Sequence, residues 1–297
     1  MMLNRLLLFV TLIFCCPLHA QYKNFTLSEA DIYKIQEEKF PHLANVAIYD
    51  IAYKSFDKTA VKGFLITPKD DTKKYPVVIF NRGGNGSYGM VNENYIIRFL
   101  SKIAARGYIV IGSHLRGSEG SEGVDEFGGK DVEDVLYLFN IVDEIKTADT
   151  ARILQIGWSR GGITNFQVLK HTERITATVT IASPADILES HRQIMFTVYR
   201  NRIPGYEKDS VAAAQKVSPL YQMDALKNKK APILFMHGDN DATVLYANTV
   251  KLYEKAKLTG IPSEFITYPN GDHTLREYFD TMVTDITCWF TKVLVAP

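Results

Sequence analysis

Six short apolar runs separated by helical patterns constrain this chain more than any other feature. They fall at 77–80, 108–112, 153–156, 177–182, 233–236 and 264–268, each four to six residues long. Strands that read this way are buried on both faces, as happens when helices cover both sides of a parallel sheet. Between them, 95–105 carries Ile96, Ile97, Leu100, Ile103 and Ala104 on a helical period. The stretch 132–145 does the same with Val135, Leu136, Leu138, Phe139 and Val142, after an acidic start at Asp131 that suits a helix N-terminus. Further helical patterns run over 161–171, 244–258 and 275–293. Alternation of this kind predicts an α/β architecture. Two earlier runs, 46–54 and 61–67, alternate apolar with polar residues around Ser55-Phe56-Asp57-Lys58, and predict an antiparallel hairpin at the sheet edge. The expectation is a mostly parallel eight-stranded sheet with helices on both faces. The stretch 184–230 is longer than a crossover requires and reads as a small helical cap insertion.

The first twenty residues differ from the rest. Arg5 precedes the apolar run Leu6 to Cys16, then a break at Pro17-Leu18-His19-Ala20. That pattern predicts a secretory signal peptide over 1–20, cut before Gln21, and a periplasmic or secreted protein. Eleven apolar residues fall short of a bilayer core of about 30 Å, so no stable membrane association is expected after cleavage. A mature chain of 21–297 would keep Cys288 of the three cysteines, which excludes an internal disulfide. Beside Trp289 and Phe290, that cysteine is expected to be a buried small hydrophobe. No repeat or linker divides 21–297, so one domain is expected. With 34 basic and 33 acidic side chains the charge balance offers no footprint for nucleic acid. No metal-ligand spacing and no dinucleotide fingerprint appear, so no cofactor is expected.

The chemistry is carried by Ile153-Leu154-Gln155-Ile156-Gly157-Trp158-Ser159-Arg160-Gly161-Gly162, a buried strand entering Gly-x-Ser-x-Gly and then a helix. A serine hydroxyl is a weak nucleophile, and a sharp strand-to-helix turn presents it beside backbone N–H groups that can hold an oxyanion. Gly157 and Gly161 leave room where a β-carbon would meet neighbouring backbone. The serine needs a base, and the base an orienting carboxylate. After the seventh strand comes His237-Gly238-Asp239-Asn240-Asp241, and after the eighth Gly271-Asp272-His273. The order Ser159, Asp241, His273 is that of the α/β-hydrolase fold. Asp239 is an alternative acid, with Asp241 then a helix cap. His237 and His114 also end apolar strands and read as structural. His273 alone follows the eighth strand, where a loop can return over the serine.

From about Pro76 to Val293 the chain resembles the catalytic domain of the prolyl oligopeptidase family of serine peptidases, within the α/β-hydrolase superfamily. The matching pieces are Arg116-Gly117-Ser118-Glu119-Gly120, the run Gly128 to Val135, the Gly157 to Gly162 turn, His237 to Asp241 with Val244, and Gly271-Asp272-His273. The resemblance favours Asp241 over Asp239 as the triad acid. It also implies that Arg116 and Asp131 are structural, tying the loop after the fourth strand beneath the site, and an Asp at a helix start reads as a cap. Family members often carry an N-terminal β-propeller, which the roughly 55 residues between the predicted signal and Pro76 are too few to build. Where members usually place Tyr or His before a Gly-Gly pair, this chain has Arg82-Gly83-Gly84. An N–H from this loop, at Gly83, and that of Arg160 are the expected oxyanion donors, and Arg82 is a candidate charged donor. Arg192, Tyr199, Arg200, Arg202 and Tyr206 of the cap suit either a ligand pocket or a solvated helical face. The expected substrate is a peptide or a small ester, with acyl transfer and a non-catalytic binding module as rival readings.

Overall fold

The computed structural model describes residues 22–30, 33, 36–229 and 231–295. The predicted signal, 1–20, lies outside the described residues. Among them nine strands form one sheet: β1 (Phe25–Glu29), β2 (Val46–Lys54), β3 (Ala60–Pro68), β4 (Tyr75–Asn81), β5 (Ile109–Ser113), β6 (Ala148–Trp158), β7 (Ile175–Ile181), β8 (Ile233–Gly238) and β9 (Ser263–Tyr268). Their order is β1-β2-β3-β5-β4-β6-β7-β8-β9. The three junctions from β1 to β5 are antiparallel, and all those from β5 to β9 are parallel.

The sheet is mostly parallel as expected, but it has nine strands rather than eight. The added β1 pairs with β2 from Phe25↔Tyr53 to Glu29↔Tyr49, so the β2–β3 hairpin is not the edge. Only Phe25 of its five residues is buried, which is too short a pattern to stand out in sequence.

The helices are α1 (Glu93–Tyr95), which passes through a π-helical turn at Ile96–Leu100 into α2 (Ser101–Ala105), α3 (Asp131–Val142), α4 (Arg160–His171), α5 (Gln193–Arg202), α6 (Ser210–Val217), α7 (Pro219–Gln222), α8 (Ala247–Leu258) and α9 (Phe279–Val295). Strand β4 shows how they cover both faces. Val77 and Ile79 enter a core with Leu138 of α3, Phe166 of α4 and Leu252 of α8. Val78 and Phe80 enter the opposite core with Ile103 of α2 and Phe290 of α9. Each such buried side chain contributes about 1.5–3 kcal/mol. Between β7 and β8, α5 and α6 pack through Tyr199, Ile203 and Val217 against Phe127 and against Ile163 of α4. On α9 the apolar face falls on Met282, Ile286, Trp289 and Phe290, which turns Cys288 outward; it is exposed, not buried as expected.

From β4 the chain moves to β5 on one side, and it returns to place β6 on the other. Such a reversal opens a crevice beyond the carboxyl ends of the strands, here β4 and β6.

Candidate active site

Ser159 sits between the last residue of β6 and the first of α4, with φ 54° and ψ −121°. A side chain in this region costs about 1–3 kcal/mol, so the surroundings must hold it there. The Ser159 N–H donates to the Ile181 carbonyl (2.7 Å), and the Gly162 N–H donates to the Ser159 carbonyl (2.9 Å). The two flanking glycines are required by close approach. A β-carbon at Gly157 would stand 2.2 Å from the Gly161 oxygen, and one at Gly161 would stand 1.9 Å from the Asn81 oxygen. Before the turn, Trp158 packs edge-on against Tyr95, Phe99 and Phe279 at 5.6–6.1 Å, and its Nε1 donates to the His273 carbonyl at 3.1 Å. The strand end that carries Ser159 is thereby tied to the loop that carries His273.

Asp241 lies in the loop after β8 and is 4% exposed. Its Oδ1 accepts the N–H groups of Thr243 (2.7 Å) and Val244 (2.9 Å). Its Oδ2 stands 2.7 Å from His273 Nδ1 and 2.9 Å from His237 Nε2. Burial works to raise the carboxyl's pKa, but the hydrogen bonds from His237 and His273, the charge of His273 and the Val244 N–H outweigh it. The net result holds Asp241 below the usual carboxylate range. An ionised carboxylate only accepts, so His273 Nδ1 carries a proton, and in the neutral ring Nε2 is then the lone pair.

The neighbouring carboxylates take other work. Asp239 accepts the Asn270 N–H (2.6 Å) and so ties down the start of the His273 loop, and Asp272 accepts those of Thr274 and Leu275. Neither is seen to bond an imidazole.

Arg160 begins α4, and the first N–H groups of a helix have no partner within it. Gly83 runs against the serine: a β-carbon there would stand 3.2 Å from Ser159 Cβ and 3.1 Å from the Trp158 oxygen. Both backbones therefore border the serine. The Arg82 side chain must be corrected as an oxyanion donor, because its five N–H positions are already taken. Nε donates to the Gly83 carbonyl (3.1 Å), Nη1 to the His114 carbonyl (3.2 Å) and Ser118 Oγ (2.6 Å), and Nη2 to the Gly86 (2.9 Å) and Tyr88 (2.8 Å) carbonyls. Burial, with Arg160 nearby, pulls its pKa down to about 10. Arg82 shapes the glycine-rich loop from within.

A buried ion network lies under the turn. The Arg160 guanidinium donates to Asp125 (2.5 and 2.7 Å), Asp131 (2.8 Å) and the Gly84 carbonyl (3.0 Å), with Phe127 stacked at 4.4 Å. Burial favours the neutral acid at Asp125, yet Arg160 prevails and holds it down to about 2. Asp131 accepts from Gly128 and Gly129, residues before α3, so it braces a loop and Arg160 where a helix cap was expected. Arg202 of α5 reaches Asp125 at 3.4 Å. Arg116 pairs with Asp134 and Asp57. Asp125 was missed in the sequence reading, where it sits in no repeated pattern.

Ser159 and His273 line one cavity of about 430 Å³. Phe80, Tyr95 and Trp158 also line it, as do Arg192, Met195 and Tyr199 from the segment between β7 and β8. Arg200, Arg202 and Tyr206 are not among its lining residues. Among the described residues, no group of three His, Cys, Asp or Glu stands where it could hold a metal ion.

The Prolyl oligopeptidase family model (Peptidase_S9) matches residues 95–296. The chain belongs to that family. It is an enzyme of the serine hydrolase class, in a family of serine peptidases. An acetyl xylan esterase model matches residues 21–133 as well. The chain is 29% identical over 243 residues to an uncharacterized peptidase, YtmA, of Bacillus subtilis, covering 80% of this chain and 91% of that protein. It is 29% identical to dipeptidyl-peptidase 5 of Porphyromonas gingivalis, over 69% of this chain but only 31% of the longer protein. In fold it is similar to an acylaminoacyl peptidase of Pyrococcus horikoshii, with TM-score 0.69, 23% identity, and coverage of 86% of this chain and 43% of that one. The chain thus spans nearly all of one curated relative and between 22% and 35% of the length of others.

Proposed function

We propose that this prolyl oligopeptidase family member cleaves peptide bonds through an acyl-enzyme on Ser159. The carrying observation is the 2.7 Å contact between Asp241 Oδ2 and His273 Nδ1 in a loop that shares its cavity with Ser159. In this reading His273 Nε2 takes the proton as Ser159 Oγ attacks the carbonyl carbon. Asp241 stabilises the imidazolium that forms. The N–H groups of Arg160 and Gly83 receive the oxyanion. The tetrahedral intermediate collapses, the C–N bond breaks, and His273 returns the proton to the departing amine. Water, deprotonated by the same nitrogen, then releases the acid and restores the serine.

A second reading, a carboxylesterase on small esters, is favoured by the acetyl xylan esterase match over 21–133. A panel of p-nitrophenyl esters and of alanine and proline peptide amides separates the two, with Ser159→Ala as control. The peptidase reading expects amide turnover that disappears in the variant; turnover of esters alone would replace it with the esterase reading.

We further propose export through residues 1–20. Secreted material should begin at Gln21 by N-terminal sequencing, and retention of Met1 in mature protein would overturn this.

A further inference from the structure

We propose that His237 is a positioning residue of the active site, whose Nε2–H holds Asp241 in the orientation that serves His273. This rests on the reading above, in which Asp241 and His273 serve Ser159. His237 is the last residue but one of β8, four residues before Asp241, and is fully buried. Its Nε2 lies 2.9 Å from Asp241 Oδ2 and 3.0 Å from the Val244 carbonyl. Both are acceptors, so the ring proton resides on Nε2. Its Nδ1 lies 2.6 Å from Thr249 Oγ1 of α8, and a hydroxyl can donate to the lone pair there.

The result is a chain: Thr249 hydroxyl to His237, His237 to Asp241, and His273 to the same carboxylate oxygen. Oδ1 is held by two backbone N–H groups, but Oδ2, the atom that faces the catalytic imidazole, has only the two histidines as partners among the described residues. Without His237, His273 itself would be the one remaining partner of Oδ2 among the described residues. A ring would then be asked to orient the group that orients it. Gly238 lets the support come close, because a β-carbon there would stand 2.2 Å from the Gly271 oxygen of the His273 loop.

The test compares His237→Leu, which removes the donor, with His237→Gln, whose amide nitrogen can replace Nε2. Both are measured beside the wild type and Ser159→Ala for kcat, KM and the rate of labelling by a fluorophosphonate. A donor to a charged group predicts that His237→Leu loses about 10- to 100-fold in kcat and labelling rate, with KM little changed. His237→Gln should recover most of that loss. Equal defects in both variants at wild-type thermal midpoint, or a wild-type kcat in His237→Leu, would overturn the proposal.

A second measurement needs no variant. A long-range ¹⁵N–¹H correlation spectrum of the wild type should place the proton on Nε2 of His237 and on Nδ1 of His273. A proton on Nδ1 alone at His237 would refute the donor role. A wild type that takes no label at Ser159 would instead bring down the catalytic reading, and the positioning role with it.

Discussion

At the residue scale, the unusual backbone of Ser159 and the four donors around Asp241 do most of the explaining. Gly161→Ala forces a β-carbon into the Asn81 carbonyl, and overpacking of that kind should destabilise the fold by about 3 kcal/mol, read as a drop in urea midpoint. Asp241→Asn should leave the fold intact and cut kcat by about 10³- to 10⁴-fold, since an amide can impose the wrong tautomer on His273. Because the native carboxyl lies below its unfolded value near 3.9, its stabilisation is present in full above that pH and is lost as pH falls through the native value. The gap in urea midpoint between wild type and Asp241→Asn should therefore be widest near neutral pH and narrow below about pH 4. A gap that instead shrank as pH rose through the carboxylate range would show that burial, not the histidine contacts, governs the group.

At the element scale, most of the sheet was legible because two-faced burial leaves short unbroken apolar runs, and Val77 to Phe80 reads that way at a glance. What escaped depends on where side chains point after the backbone has turned. Arg82 was visible as an arginine beside two glycines, but only the curl of that loop sends its guanidinium inward to five acceptors. Asp125 lies 35 residues from its partner Arg160, in a loop with no period to read. His237 was legible as a strand-end histidine, while its contact with Asp241 depends on the bend after β8. The loop carboxylate supports the elements around it, so Asp125→Ala, which leaves Arg160 buried with less compensation, should cost about 3–5 kcal/mol in thermal or urea unfolding. Arg200→Ala, in an exposed pair 4.0 Å from Glu207, should change the midpoint little.

At the scale of the whole molecule, a sheet reversal opens the crevice, β4 and β6 deliver the glycine loop and the serine to it, and the loops after β8 and β9 return the acid and base from the other side. The family match covers residues 95–296, which hold Ser159, Asp241 and His273 but not β4 or the glycine loop, and the fold likeness covers 86% of the chain. The account turns on one nucleophile at that crossing. Treatment with a fluorophosphonate, followed by intact mass and peptide mapping, tests it most directly. One adduct per chain, located on Ser159 and lost in His273→Ala, is the predicted result; an adduct on any other residue, or undiminished labelling of His273→Ala, would contradict it.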